Sequence, residues 1–256
     1  MTLRVENLTV RYGGKPALEG LSFSLEAGQW LMVAGPNGAG KSTLLQALSQ
    51  GTPYTGRILL DGQDLAAMKP RARAREMAVL AQRHMPYYGF TVGEVAAMGR
   101  YAYGRGPLSA PQGEDEGIVR YALAQTGMLP YAGRSILTLS GGERQRAFLA
   151  QAFAQTPRIL LLDEPASHLD LPYQKQIFEL LRAWLQKPGR AVVSVVHDLS
   201  LARAYGNRAL LLRQGRVAAL GAVEEALRPQ NLEKVYAMDV HAWMRRMLSQ
   251  WERDKM

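Results

Sequence analysis

A chain of 256 residues is long for one compact α/β domain and short for two, so a core carrying a substantial insertion is expected. It contains no cysteine, which excludes a disulfide framework, a thiolate metal site and a thiol nucleophile. Its formal net charge of +9 suits an anionic partner, whether nucleotide, nucleic acid or membrane surface, and with no leader-like start and no apolar run of bilayer-spanning length a cytoplasmic or peripheral protein is expected.

Residues 3–12 alternate through Leu3, Val5, Leu8 and Val10, and Leu21, Phe23 and Leu25 alternate again, which predicts antiparallel strands at the start. The apolar run 30–34 reads as a buried strand. It feeds residues 35–43, GPNGAGKST, which fit G-x-x-x-x-G-K-[ST] and precede the helix-like stretch 44–48. Gly35, Gly38 and Gly40 let the backbone turn so that N–H groups converge on phosphate oxygens at a helix N-terminus. Pro36, Asn37, Ala39 and Thr43 complete this phosphate-binding loop. Lys41 is placed to reach β- and γ-phosphates, and Ser42 to offer its hydroxyl to Mg²⁺, a cation that prefers oxygen ligands.

Residues 56–62 and 215–221 each read as a strand bounded by turns. Lys69, Arg71, Arg73 and Arg75, and Arg245 with Arg246, read as solvated helix faces. Between 83 and 137 the pattern changes to short helical stretches, 92–98 and 118–126, separated by a Gly/Pro/Ser-rich loop at 104–117, which predicts an inserted helical subdomain. The apolar runs 159–162, 191–196 and 209–212 predict central parallel strands buried on both faces.

The first of these runs ends in Asp163 and Glu164. Carboxylates at the C-terminal edge of a parallel sheet stand where ligands bind in α/β folds, although two acids before Pro165 could also simply start a turn. Beside a phosphate loop, Asp163 would orient the Mg²⁺ shell and Glu164 would polarise an attacking water. Residues 139–146, LSGGERQR, place Ser140, Gly141, Gly142 and Glu143 at a helix start, a second potential phosphate cradle that need not face the same nucleotide within one monomer.

GPNGAGKST, LSGGERQR, ILLLDEP, Ser167-His168-Leu169-Asp170 and Val196-His197-Asp198, in this order and spacing, closely resemble the nucleotide-binding subunits of ABC transporters over residues 3 to about 240. The resemblance implies a P-loop NTPase core with N-terminal antiparallel strands and an inserted helical subdomain at about 83–137. It also implies an ATP- and Mg²⁺-dependent ATPase. Two copies of the chain would meet head to tail, with Ser140, Gly141 and Gly142 serving the nucleotide held by the other copy. Tyr12 matches the aromatic residue that stacks on adenine, Gln82 the glutamine that reaches Mg²⁺ or water, His197 the histidine on the γ-phosphate, and Asp170 a loop residue that communicates across the dimer. Glu164, Lys41 and His197 would be the catalytic set, and Ser42, Gln82 and Asp163 would serve the metal.

Residues 90–101 resemble the FTV-x-E-x-V-x-x-GR-Y stretch of ATPases serving importers of ferric siderophores, heme and cobalamin, with the iron-siderophore members nearest in wording. This implies polytopic membrane subunits as partners, a substrate-binding protein acting through them, and a place on the cytoplasmic face of the inner membrane. The stretch 90–100 is a candidate coupling surface, and local helix packing also accounts for Val92, Val95 and Met98. Residues 241–256 depart from the group. They form an amphipathic tail with Trp243, Met244, Met247, Leu248 and Trp251 on one face and Arg245, Arg246 and Arg253 elsewhere, suited to packing on the protein or to a membrane surface. Cobalamin, heme or oxyanion cargo, and a soluble ABC-type ATPase acting on nucleic acid or ribosomes, are the competing readings. Without a basic tract carrying interleaved aromatics, no nucleic-acid partner is expected.

Overall fold

The computed structural model describes residues 1–82, 89–104, 113–167 and 169–252. Residues 83–88 at the start of the expected insertion, 105–112 of the loop 104–117, His168, and Arg253 in the tail lie outside the described residues.

Strands β1 (Thr2–Tyr12) and β2 (Lys15–Glu26) form an antiparallel hairpin, and β3 (Trp30–Ala34) follows. Gly13 and Gly14 both stand at positive φ in the hairpin turn, as tight hairpin turns require. In β1 the buried residues change parity, from Leu3 and Val5 to Leu8 and Val10. Between Val5 and Leu8 the strand advances three residues while β2 advances two, from Phe23 to Leu21. The extra residue is a bulge, with Asn7 at φ 50°, and it shifts the alternation by one so that Leu8 and Val10 face the same core as Leu3 and Val5. After helix α1 (Lys41–Leu48), strand β4 (Thr55–Leu60) pairs with the other edge of β1 and short β5 (Gln63–Asp64) closes the sheet in the order β2-β1-β4-β5.

Helix α2 (Pro70–Glu76) leads into β6 (Met77–Leu80). Helices α3 (Val92–Met98), α4 (Glu114–Gln125) and α5 (Gly141–Ala154) pack on one another and make up the helical part. Helix α4 starts inside the stretch read as loop, at Glu114. The acids Glu114, Asp115 and Glu116, which look like loop residues in sequence, occupy the first turn, where they favour the positive end of the helix dipole.

Strand β7 (Ile159–Asp163), helix α6 (Leu171–Leu185), strand β8 (Ala191–Val195), helix α7 (Leu199–Tyr205) and strands β9 (Arg208–Arg213) and β10 (Arg216–Ala222) complete a six-stranded sheet in the order β10-β9-β3-β8-β7-β6. β9, β3, β8, β7 and β6 are parallel; only β10 at the edge runs antiparallel. Side chains of β3 alternate between two cores. Trp30, Met32 and Ala34 face a cluster that includes Val95, Leu123 and Ala150 of the helical part, whereas Leu31 and Val33 face a cluster with Leu3, Leu8 and Leu44. The sheet is thus covered on both faces, which explains its near-continuous apolar strands.

Helices α8 (Val223–Ala226), α9 (Pro229–Tyr236) and α10 (Val240–Glu252) close the chain. Trp243, Met244, Met247, Leu248 and Trp251 of α10 are all exposed. Arg245, expected away from the apolar face, lines the same groove as Met244, Leu248 and Trp251. Among the described residues no helix is long and apolar enough to cross a membrane.

Candidate active site

The loop 35–43 leaves the C-terminal end of β3, Asp163 ends β7, and His197 follows β8, which lies between those two strands. The strand order therefore brings three distant segments to one edge of the sheet, where ligands bind in open α/β folds.

Two glycines of the loop have no substitute. A Cβ on Gly35 would stand 2.2 Å from the carbonyl oxygen of Leu212, and one on Gly40 would stand 2.5 Å from Leu18 Cδ2, with φ at +100°. Helix α1 starts from Gly40 in the left-handed conformation without a side-chain cap, so its first-turn N–H groups are available to an anion. Lys41 is buried, and its Nζ donates to the carbonyl oxygens of Gly35 at 2.8 Å and Pro36 at 3.0 Å. Burial lowers its pKa below the usual lysine value, against the opposing pull of Glu164 and Asp163.

A cleft of about 270 Å³ opens over the loop, lined by Asn37, Gly38, Gly40, Lys41, Ser42 and Thr43 together with Tyr12, Glu164 and His197. Gly35, Pro36 and Ala39 are not part of this lining; the Ala39 carbonyl accepts from Gly215 N, so the β9–β10 turn buttresses the loop from behind. Tyr12 forms an exposed aromatic wall whose hydroxyl donates to Gln46 Oε1 at 3.1 Å and Thr52 Oγ1 at 3.3 Å. Those two supports carry no local sequence signal, because they meet Tyr12 only through the fold.

Ser42 Oγ donates to Asp163 Oδ1 at 3.3 Å. Burial pushes the Asp163 carboxyl above its ordinary pKa, helped by the neighbouring Glu164 carboxylate and opposed by the Ser42 hydrogen bond, Lys41 and His197. Glu164 stands at φ 51°, a sparsely populated conformation for a side chain of its kind. Its amide donates to Val195 O at 3.2 Å, and its carboxylate accepts from Gln82 Nε2 at 2.8 Å and lies 2.6 Å from His197 Nε2. The arrangement can hold a triphosphate at the loop and present a carboxylate beside its far end.

Ser140, Gly141, Gly142 and Glu143 do not line this cleft. Ser140 caps α5 in a reciprocal box: its Oγ accepts from the Glu143 amide at 3.3 Å, and the Glu143 carboxylate accepts from Ser140 N at 2.9 Å. A Cβ on Gly142 would sit 3.0 Å from the Tyr173 ring. Asp170 takes the N-cap position of α6, exposed and without a capping bond. The predicted residues thus divide into a loop set gathered on one cleft and a set at the starts of α5 and α6 that stands apart from it.

The sequence profile described as ABC transporter matches residues 18–167. The chain is 44% identical over 244 residues to the hemin import ATP-binding protein HmuV of Pseudomonas aeruginosa, covering 93% of each chain. It is 36% identical over 239 residues to the iron(3+)-hydroxamate import ATP-binding protein FhuC of Bacillus subtilis, covering 93% of this chain and 88% of that one. Against the ABC transporter ATP-binding protein YvrA of Bacillus subtilis the identity is 41%, and the chain spans 54% of that protein's length. A solved metal-chelate type ABC transporter in an inward-facing conformation superposes with a TM-score of 0.81 at 29% identity, over 93% of this chain and 90% of that one. With the family profile spanning the phosphate loop, Gln82, the Ser140 cap and the Asp163–Glu164 pair, and relatives this similar over nearly the whole chain, the chain belongs to the ABC transporter family, as an ATP-binding subunit that hydrolyses ATP.

Proposed function

We propose that this ATPase drives an importer of an iron chelate, working on the cytoplasmic face of the membrane against separate polytopic subunits that receive cargo from a substrate-binding protein. The observation that carries the reading is the gathering of Lys41, Ser42, Asp163, Glu164 and His197 around one cleft, while Ser140 to Glu143 stand outside it. A second copy of the chain would bring its own Ser140, Gly141 and Gly142 over the nucleotide held here, with Asp170 beside that contact. The γ-phosphate is then the contact that favours the closed pair over the open one.

Within the closed site the loop amides and Lys41 bind the β- and γ-phosphates and Tyr12 backs the base. Glu164 accepts a proton from the attacking water, and His197, fixed by the Glu164 carboxylate, holds the γ-phosphate in line. Among the described residues no cluster of three or more acids and histidines could cage a metal. The Ser42 hydroxyl and the half-buried Asp163 carboxylate do fit Mg²⁺, which takes few protein oxygens and completes its shell from phosphates and water. Mg²⁺ held by Ser42, Asp163 and Gln82 would supply charge neutralisation at the phosphates.

Iron-siderophore cargo is the first reading, on the wording of residues 90–101 and the iron-hydroxamate relative. Heme is the second, favoured by the higher identity to the hemin import protein. ATPase activity of the complex reconstituted with its membrane subunits separates them: stimulation by a ferric hydroxamate-loaded binding protein supports the first, stimulation by a heme-loaded one supports the second. The Glu164→Gln variant tests the chemistry, with turnover abolished and ATP-driven dimerisation retained. Hydrolysis at the wild-type rate in that variant would remove Glu164 from the mechanism.

A further inference from the structure

Residues 98–103 separate into a part that faces out and a part that does not. Met98 and Tyr101 are exposed, yet Arg100 between them is only 7% exposed. A buried guanidinium needs partners on every side, and the partners of Arg100 come from different elements. Its Nε bonds Asp115 Oδ1 of α4 at 2.7 Å, and its Nη1 donates to Ala154 O at 2.9 Å and Thr156 Oγ1 at 3.1 Å, at the end of α5. The guanidinium lies 3.7 Å from the centre of the Tyr103 ring.

Tyr103 continues the connection. Its hydroxyl donates to Gln155 O at 3.1 Å and lies 3.0 Å from Thr156 Oγ1. The Gln155 side chain then crosses to the nucleotide core, where Nε2 donates to Met77 O at 2.7 Å and also to Ala74 O. Arg75 of α2 reaches back, with Nε on Ala102 O at 3.0 Å. Gly99 lets the helices meet this closely, since a Cβ there would stand 2.2 Å from Gln151 O.

The geometry points to Arg100, Tyr103 and Gln155 as positioning residues that clamp the C-terminal ends of α3 and α5 to strand β6. Strand β6 runs directly toward Gln82, which bonds the Glu164 carboxylate, and α5 carries Ser140 at its opposite end. A push on the exposed face of α3 therefore reaches Glu164 through Gln155, Met77 and Gln82, and moves the Ser140 cap in the same step. The inference rests on the assignment of Glu164 and Gln82 to hydrolysis made above and adds the residues that set their position.

The test is steady-state ATP hydrolysis by the full chain carrying Arg100→Lys or Tyr103→Phe, each alone and in a Gln82→Ala background. Arg100→Lys keeps the charge beside Asp115 and loses the fork; Tyr103→Phe keeps the ring and loses the hydroxyl, and it serves if the Arg100 variant does not fold. Each is expected to lower kcat, by about fivefold for Arg100→Lys, in the range that contiguous contact networks carry. KM for ATP should hold, because no clamp residue lines the nucleotide cleft. In the Gln82→Ala background neither substitution should lower kcat further, because the route to Glu164 is already cut. Independent, multiplicative losses would overturn the inference, as would an effect confined to KM or shared equally with global stability. A Gln82→Ala chain with wild-type kcat would instead remove Gln82 from the mechanism, and the clamp's output with it.

Discussion

Asp163 and Lys41 are held in charge states that favour ligand over emptiness. The raised pKa of Asp163 means that the folded chain binds this proton more tightly than the unfolded chain. The stability this gives is fully present below the ordinary value of 3.8 and is lost as pH rises through the folded pKa, so at neutral pH the empty site bears the cost of a desolvated carboxylate. Asp163→Asn should therefore stabilise the nucleotide-free chain at pH 7, by about 0.5–1 kcal/mol in urea unfolding. That gain should shrink as pH falls toward the ordinary carboxylate range, while Mg²⁺-dependent hydrolysis is lost throughout. A gain independent of pH would trace to packing rather than to charge. The lowered pKa of Lys41 has the opposite proton sign, since the unfolded chain binds the proton more tightly. Its cost is full at neutral pH and disappears only as pH rises through the folded pKa toward 10.5. Phosphate and a divalent cation, bound as proposed, would relieve both costs together and tie binding energy to the residues proposed to meet the γ-phosphate.

At the scale of elements, the sequence declares what local chemistry controls. The motif at 35–43 is readable because strand, glycine turn and helix start are contiguous, and Asp163 and Glu164 are readable because an apolar run must end somewhere. Thr91 and Glu94 form a reciprocal cap on α3, with the Thr91 amide 2.7 Å from Glu94 Oε2. Part of the stretch 90–101 thus has a purely local reason. Thr91→Ala should lower unfolding stability by about 1 kcal/mol and leave KM for ATP unchanged, measured by urea unfolding and steady-state kinetics; a rise in KM would mean that this cap reaches the nucleotide. Less legible was β6, a four-residue edge strand whose Val79 is exposed and breaks the buried pattern. Gln155 gave no signal either, because its partners Ala74 and Met77 lie about eighty positions away and meet it only after the sheet has formed. Val92 and Val95 are buried, as local helix packing expects, while Phe90, Met98 and Tyr101 are exposed, so packing explains Val92 and Val95 but not Met98.

For the whole molecule, one six-stranded sheet gives the site its edge and its two cores. The helical part shares the core of Trp30 and Met32 instead of building a separate one, so its motion relative to the sheet is constrained by common packing as well as by the clamp. The terminal helix α10 stands differently. Its Met244, Met247, Leu248 and Trp251, but not Trp243, line with Arg203 of α7 a groove of about 410 Å³ that contains no residue of the nucleotide cleft. Removal of residues 241–256 should leave kcat and KM for ATP unchanged in the isolated chain. A large loss of hydrolysis in that truncation would show that the tail acts on the site from a distance.

The bulge at Asn7 shows how far a small local feature extends. Counting in twos from Leu3 along an unbroken strand would put position 12 on the face opposite Leu3 and Val5; the additional residue restores it to the face of Leu8 and Val10, on the side where the phosphate loop lies. A β1 that kept all its residues but paired without the bulge would thus turn Tyr12 away from the cleft without altering a residue of the loop itself, whereas deleting Asn7 would leave Tyr12 an even number of positions from Leu3 and on the same face. The aromatic wall of the nucleotide site is aimed by the arithmetic of a strand in the neighbouring sheet, five positions upstream of the ring it orients.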